Sequence, residues 1–488
     1  MEAETETYSQ EQPYHNNIDI DNDVNNENMG NEVADEQEGG VRKKKETRIE
    51  ATATAEPQNP LALLEKLPTV FTQSKPVAKL SNVSKKSNQR LTFTLSHVLP
   101  SFANAIRRTI LSDIPVVGFQ TMPYEENRAK IVKNTSRFNN EYLKQRLACI
   151  PIYATNLKDT TNKNEPISNM QLINDYAVKL HVKNKTDSML WVTTKDFELI
   201  YKETGEAVEG AKGKEIIEQL FPPFVSVNDT KHYIDIMSLR PFIADGIPGE
   251  EIHLTCEFSI CLAKKNSSYN VSQLTTYSNT VDMHLQSKKI QQMKEKGQME
   301  GKSKEEIDFA VKNFEMLEGK RLFISNSFDF VVETLGIYQS ETLVQQACEI
   351  LATNLTALYD AMVEGNENVV QIKRNPENTI PNCWDIVLHN EDYTLGTMLQ
   401  DKLYRGFYRD KLKEEEVGAE ASPDTKIKML NFCGFKKEHP HDSHSIIRVG
   451  FIEEKHSQVE FILFMFSQII PNIRAEFLHI SKSLENKI

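Results

Sequence analysis

Apolar residues alternate with polar ones through Leu91, Phe93 and Leu95, then move to helical spacing at Phe102, Ile106 and Ile110. A period of two followed by a period near 3.6 predicts a half-buried strand leading into an amphipathic helix. The same pattern is written a second time, without a gap. When Leu91–Leu111 is set against Trp384–Tyr404, Leu91 falls on Trp384, Phe93 on Ile386, Leu95 on Leu388, Phe102 on Leu395, Ile106 on Leu399 and Ile110 on Leu403. Each helix opens beside a hydroxyl residue suited to cap it, Ser101 or Thr394. Each copy then reaches a Gly-Phe strand, Gly118-Phe119 or Gly434-Phe435, with a proline soon after. One chain thus carries two versions of one module.

Two longer helices give the modules a reason to pair. Residues 340–363 place Leu343, Ala347, Ile350, Leu351, Leu355, Leu358 and Met362 on one stripe. Residues 457–485 are apolar on more than one face between Val459 and Ile470, with Ile462, Phe466 and Ile469 among them. Burying each Leu, Ile or Phe is worth about 1.5–3 kcal/mol, so a strand–helix unit carrying one such helix alone leaves a large apolar face wet. Packing helix on helix across a pseudo-two-fold axis covers both faces at once. The fold class expected is α+β, two modules paired by long helices. Gly396 sits inside the first turn of the second short helix, where glycine costs about 1 kcal/mol against alanine. It is read as a point of close backbone approach, with Asp392 and Thr394 accepting from the amides of that turn.

Along the chain, residues 1–80 read as an acidic tail, its first sixty or so residues poor in apolar clusters and without Lys or Arg before Arg42. Such composition cannot offset its own ordering entropy, and disorder is expected there. The basic run Arg42–Lys45 suits a nuclear address or a nucleic-acid contact. The first module is read as 81–122 and 320–365, closing through a strand at Arg321–Ser325. It is interrupted at 123–319 by an inserted mixed-strand domain followed by a charged stretch, 283–319, read as an exposed helix or a mobile loop. Candidate strands of the insertion are Tyr176–Val182, Met189–Thr194, Phe197–Tyr201 and Ile252–Leu262. Residues 366–380 read as a linker and 381–488 as the second module. Joining two modules removes the estimated 4–15 kcal/mol that free partners lose on association, because pairing becomes intramolecular.

Net charge is −13 over 488 residues, unlike the basic footprint of a protein built to hold phosphates. Six cysteines without paired spacing point to a reducing compartment rather than a disulfide framework. No signal peptide is visible, and the Val459–Ile470 run is shorter than the ~20 apolar residues of a membrane span. His439, His441, His444 and Cys433 offer donors, but not with the ligand spacing of a structural zinc site. Cys256 and Cys261, read as sharing one strand, point to opposite faces. No phosphate loop or run of closely spaced aspartates is present. The expectation is no catalytic site, no metal or other cofactor, no membrane and no small-molecule substrate.

The first copy, SFANAIRRTILSDIPVVGF, followed by NNEYLKQRLACIPI, resembles the larger alpha-like subunit of multisubunit DNA-directed RNA polymerases. The second, HNEDYTLGTMLQDKLYR followed by FCGFKKEHP, resembles the smaller one. Most relatives keep the two as separate chains that pair; here they stand head to tail. The resemblance implies a non-catalytic assembly subunit that recruits the second-largest and then the largest subunit, sits with smaller polymerase subunits, and meets DNA only through the complex. It implies that the insertion packs on the second-largest subunit. Some relatives hold a metal or iron–sulfur site on clustered cysteines there, a cluster this sequence lacks.

The two short helices also differ in charge. Asn104, Arg107 and Arg108 align with Thr397, Gln400 and Asp401. Arginine forks suit partly desolvated interfaces, and the resemblance assigns Asn104, Arg107 and Arg108 to contact with the second-largest subunit. Arg146 is either a partner contact or an anchor of the insertion. A rival reading is a nucleic-acid-binding protein using its basic segments; another is a His/Cys metalloenzyme. The joined arrangement resembles that of large cytoplasmic DNA viruses, placing the protein in a viral factory or virion, with the nucleus as the alternative.

Overall fold

Leu91, Phe93 and Leu95 lie on strand Arg90–Ser96, all nearly or fully out of solvent. Their neighbours are Phe323–Thr334 on one side and Lys79–Ser87 on the other, with Ser272–Val281 completing a four-stranded antiparallel sheet. Phe93 stacks on Phe330 within it, ring centroids 4.9 Å apart. A second antiparallel sheet orders Val370–Arg374, Cys383–His389, His444–Phe451 and Leu430–Lys436. In chain order the two sheets have the same plan: edge strand, inner strand, short helix, opposite edge strand, inner strand, long helix. The helices are α1 (Pro100–Ser112) and α2 (Ser340–Glu364) with the first sheet, and α3 (Tyr393–Phe407) and α4 (Val459–Glu485) with the second. The computed structural model describes residues 77–487 apart from 88, 156, 160–164, 209, 245, 247, 375–378 and 409–427. The tail reading and the Arg42–Lys45 run fall outside them, except for the last residues of the stretch read as tail.

Helices α2 and α4 lie against each other, and both sheets drain into one apolar cluster. That cluster contains Phe102, Ile106, Ile110, Leu343, Ala347, Leu351, Leu355 and Leu358 from the first half. From the second it contains Leu395, Leu399, Leu403, Ile462, Phe466 and Ile469. Phe102 stacks on Phe477 of α4, centroids 4.0 Å apart, a contact between halves. α2 ends at Gly365, whose φ of 69° lets Asn366 N–H reach back to Ala361 O at 2.9 Å; this is the glycine-capped helix end that side chains with a Cβ disfavour. α4 is long and apolar enough by composition to cross a membrane, more so than its Val459–Ile470 run suggests. In this fold Phe461, Met465, Ile473 and Phe477 are fully buried in the shared core.

The structure corrects several boundaries. Val116–Gly118 is not the counterpart of the Gly434 strand; it pairs with Ser259–Cys261 beside the insertion. The true counterpart of Leu430–Lys436 is Ser272–Val281. The Gly-Phe dipeptide misleads because the inserted domain enters directly after α1, before the module's edge strand is made. The closing strand is Phe323–Thr334, not Arg321–Ser325. Residues 283–319 form two helices, Met283–Met299 and Lys304–Met316, packed on each other between two strands of the first sheet. Ile252–Leu262 splits into Glu251–Glu257 and Ser259–Cys261, which join different sheets. The stretch read as a linker holds strand Val370–Arg374, so the connection between modules shrinks to a few residues after Gly365. The insertion itself orders Ala129–Asn134, Glu251–Glu257, Tyr176–Lys183 and Phe197–Tyr201 over its own core.

Candidate functional site

α1 and α3, the two aligned helices, pack on each other. Neither is capped by its aligned hydroxyl residue. α1 starts at Pro100 after Leu99, which makes no side-chain cap; proline at the first helical position needs none of the missing amide bonding. α3 is capped by Asp392, whose Oδ1 accepts from Thr394 N–H at 2.8 Å. Ser101 and Thr394 are released from capping and face the opposite helix.

Arg108 donates from Nε to Thr394 Oγ1 at 2.9 Å and from Nη2 to Asp392 Oδ2 at 2.6 Å. Ser101 Oγ donates to Asp401 Oδ2 at 2.7 Å, and Arg405 Nε supports the same carboxylate at 3.0 Å. Arg108 aligns with Asp401 and Ser101 with Thr394, so the two contacts are one contact repeated with its charge reversed. Two arms of the Arg108 fork are thus used within the chain, a use that its assignment to an outside partner did not anticipate. The reason is tertiary, because Asp392 reaches Arg108 only once the helices pack.

Burial pushes the Asp392 carboxyl upward, yet the hydrogen bonds from Thr394 and the charge of Arg108 outweigh it and hold it below the usual range. Its neighbour Glu391 is pushed up to about 7, first by burial and then by Asp392 and Asp113, against the opposing charge of Lys264. Asp113 is also raised by burial. The seam therefore carries one firmly ionised carboxylate beside one that titrates near neutrality.

The other named residues separate. Arg107 bonds to Asn104 Oδ1 through Nε at 3.1 Å and Nη2 at 3.0 Å, one turn away on α1. Arg146 donates to the carbonyl of Asp235, tying helix Asn140–Ala148 to strand Asp235–Leu239 inside the insertion. Gly396 lies against the Phe435 ring, where an added Cβ would come within 2.0 Å of Cε2. Among the described residues, no group of three His, Cys, Asp or Glu side chains is placed to hold a metal. Burial pushes the Cys261 thiol up to about 11 and the Cys433 thiol up to about 12, away from the thiolate form that ligates metals. Sequence reasoning missed Glu391 and the Ser101–Asp401 bond. The opposite charges at the aligned positions Arg108 and Asp401 were the available signal.

A family profile described as the RNA polymerase Rpb3/Rpb11 dimerisation domain matches residues 92–355, over half of the chain. The chain belongs to that family. The match begins inside strand Arg90–Ser96 and ends inside α2, so it takes in most of the first module with its insertions. The second sheet lies beyond it. The chain is similar to a conjugation stage-specific protein of Tetrahymena thermophila, 27% identical over 192 residues, covering 38% of this chain and 54% of that protein. It is also similar to the DNA-directed RNA polymerase subunit Rpo3 of Pyrococcus horikoshii, 33% identical over 101 residues, 21% of this chain and 34% of that one. The chain thus spans about half the length of the first relative and a third of the second.

Proposed function

We propose that the chain is a non-catalytic assembly subunit of a DNA-directed RNA polymerase, in which the larger and smaller alpha-like modules are joined and pair with each other. The family match over residues 92–355 carries the assignment. The repeated strand order of the two sheets, and the packing of α2 on α4, support reading the second half as the smaller module. On this reading the paired modules seat the second-largest and then the largest subunit, with smaller subunits beside them, and the catalytic aspartates and magnesium belong to those partners. The joined arrangement and the Asn-, Lys- and Ile-rich composition are the grounds for placing the protein in a viral factory or virion rather than the nucleus.

With Arg108 used internally, the face offered to the second-largest subunit centres on Asn104 and Arg107. Arg107→Glu with Asn104→Asp in the full chain should leave the melting temperature unchanged while weakening capture of the second-largest subunit in pull-downs from the native source. Unchanged capture removes those residues from the interface. Failure of the wild-type chain to bring down any large polymerase subunit overturns the assignment. Steeply salt-dependent binding to DNA by the isolated chain would favour the nucleic-acid-binding reading instead.

A further inference from the structure

We propose that the crossed polar pairs between α1 and α3 make each half of this chain accept the other half and reject a copy of itself. The inference rests on the two-module part of the reading above and not on the polymerase assignment. The contacts themselves are Arg108 with Thr394 and Asp392, and Asp401 with Ser101.

The apolar seam carries little of the choice, because burial of apolar surface is non-directional. Phe102, Ile106 and Ile110 on α1 align with Leu395, Leu399 and Leu403 on α3, all buried. Interfaces related by a two-fold axis are self-complementary, residue i meeting j while j meets i. In a pairing of two first halves, each Arg108 would therefore meet the positions held by Leu99 and Ser101. Each guanidinium then loses its carboxylate in a seam where it is only 34% exposed. In a pairing of two second halves, each Asp401 would meet Thr394 and Asp392, with Glu391 adjacent. Carboxylates would face carboxylates on both sides of the axis. Only the mixed pairing places the cation on the anion and the second anion on a hydroxyl. Specificity of this kind comes from the arrangement refused as much as from the one preferred.

The tether alone does not supply this selectivity. Only a few residues separate α2 from the first strand of the second module, and a short hinge raises local concentration without choosing among faces of a neighbouring chain. The polar pairs choose.

The test uses the full chain with a site-specific protease sequence inserted in the connection between Gly365 and Val370, folded and then cut, with the composition of the product read by native mass spectrometry. Wild type should remain one first half bound to one second half across dilution. Arg108→Asp should raise the dissociation constant between halves by about tenfold or more, less than for a fully buried charge pair because this one is partly exposed, and like–like species should appear. Arg108→Asp combined with Asp392→Arg should cost less than the sum of the two single changes, the remainder reflecting the lost cap of α3. Because Arg108→Asp can impair folding, Arg108→Gln and Asp401→Asn are measured alongside; each should weaken the mixed pair by a smaller factor. Cut Arg108→Asp protein that keeps wild-type affinity and pure one-to-one composition overturns the proposal, as does a double-mutant cycle in which the losses from Arg108→Asp and Asp392→Arg simply add. No polymerase subunit enters the test, so its failure leaves the capture experiment standing, and failed capture leaves this result standing.

Discussion

Lys402 and Glu476 form an ion pair 3.2 Å long, with side chains only 15% and 10% exposed, at a place where the other half of the molecule has no charge at all. Lys402 aligns with Thr109, whose buried hydroxyl has no partner; matching the buried positions Leu343, Ala347, Leu351 and Leu355 of α2 to Phe461, Met465, Ile469 and Ile473 of α4 sets Glu476 against Leu358, 3% exposed. The same fold position is thus filled once by a nearly dry ion pair and once by an apolar side chain beside a hydroxyl. Removing one partner of a buried pair costs about 3–5 kcal/mol, while replacing both with apolar groups is often neutral. Glu476→Leu alone should therefore lower unfolding stability by about that amount. Lys402→Met with Glu476→Leu should restore it to near wild type. Denaturant titrations of the three variants give the answer, and an equal loss in the double variant would mean the pair holds something else in place.

Gly396→Ala should be far more damaging than its small size suggests, because the new Cβ meets the Phe435 ring at 2.0 Å. Forced overpacking of this kind costs about 1–3 kcal/mol, against the gain of about 1 kcal/mol that alanine brings to a helix. Phe435→Leu in the Gly396→Ala background should recover part of the loss. A double-mutant cycle followed by thermal unfolding separates the two contributions; strictly additive effects would rule out the clash.

Leu351 and Leu355 face α4 from the middle of α2, 1% and 0% exposed. Each Leu→Ala change should cost about 2–5 kcal/mol. Leu351→Asp with Leu355→Asp should prevent folding altogether, seen as loss of a cooperative melting transition. A well-folded, monomeric double Asp variant would contradict the shared core.

The seam should also respond to pH. Glu391 has its carboxyl raised from 4.5 to about 7, so folding favours its protonated form. The stability this contributes is complete below about 4.5 and is lost as pH rises through about 7. Asp113 shifts in the same direction. Asp392, held low by Thr394 and Arg108, works oppositely, and its contribution disappears only as the medium becomes strongly acidic. Between pH 8 and pH 6 the chain should gain about 1 kcal/mol from Glu391, and Glu391→Gln should flatten that slope. Melting temperatures across the interval provide the measurement.

The chain's local patterns carried a large part of the architecture. Alternation at Leu91, Phe93 and Leu95, and helical spacing at Phe102, Ile106 and Ile110, are properties of a few neighbouring residues, so their repetition at Trp384–Tyr404 could be recognised without coordinates. The stripe from Leu343 to Met362 likewise announced a face needing cover. Gly396 was legible for the same reason, since a glycine in a helical turn departs from local preference.

Other features depend on partners distant in sequence, and there local reading failed. Gly118-Phe119 looks like Gly434-Phe435, yet Val116–Gly118 bonds to Ser259–Cys261 while Ser272–Val281 takes the edge of the sheet. A strand's identity lies in the neighbour it bonds, and an insertion changes the neighbour without changing the dipeptide. Arg108 showed its charge in the sequence but not its recipient, because Asp392 comes within 2.6 Å only after α1 and α3 pack. Composition and periodicity alone determined that one strand–helix pattern recurs along the chain and that its apolar helix faces must be covered. Tertiary structure decided which polar groups meet across the seam, since hydrogen bonds and ion pairs require particular atoms within about 3 Å, whereas apolar burial requires only that water be excluded.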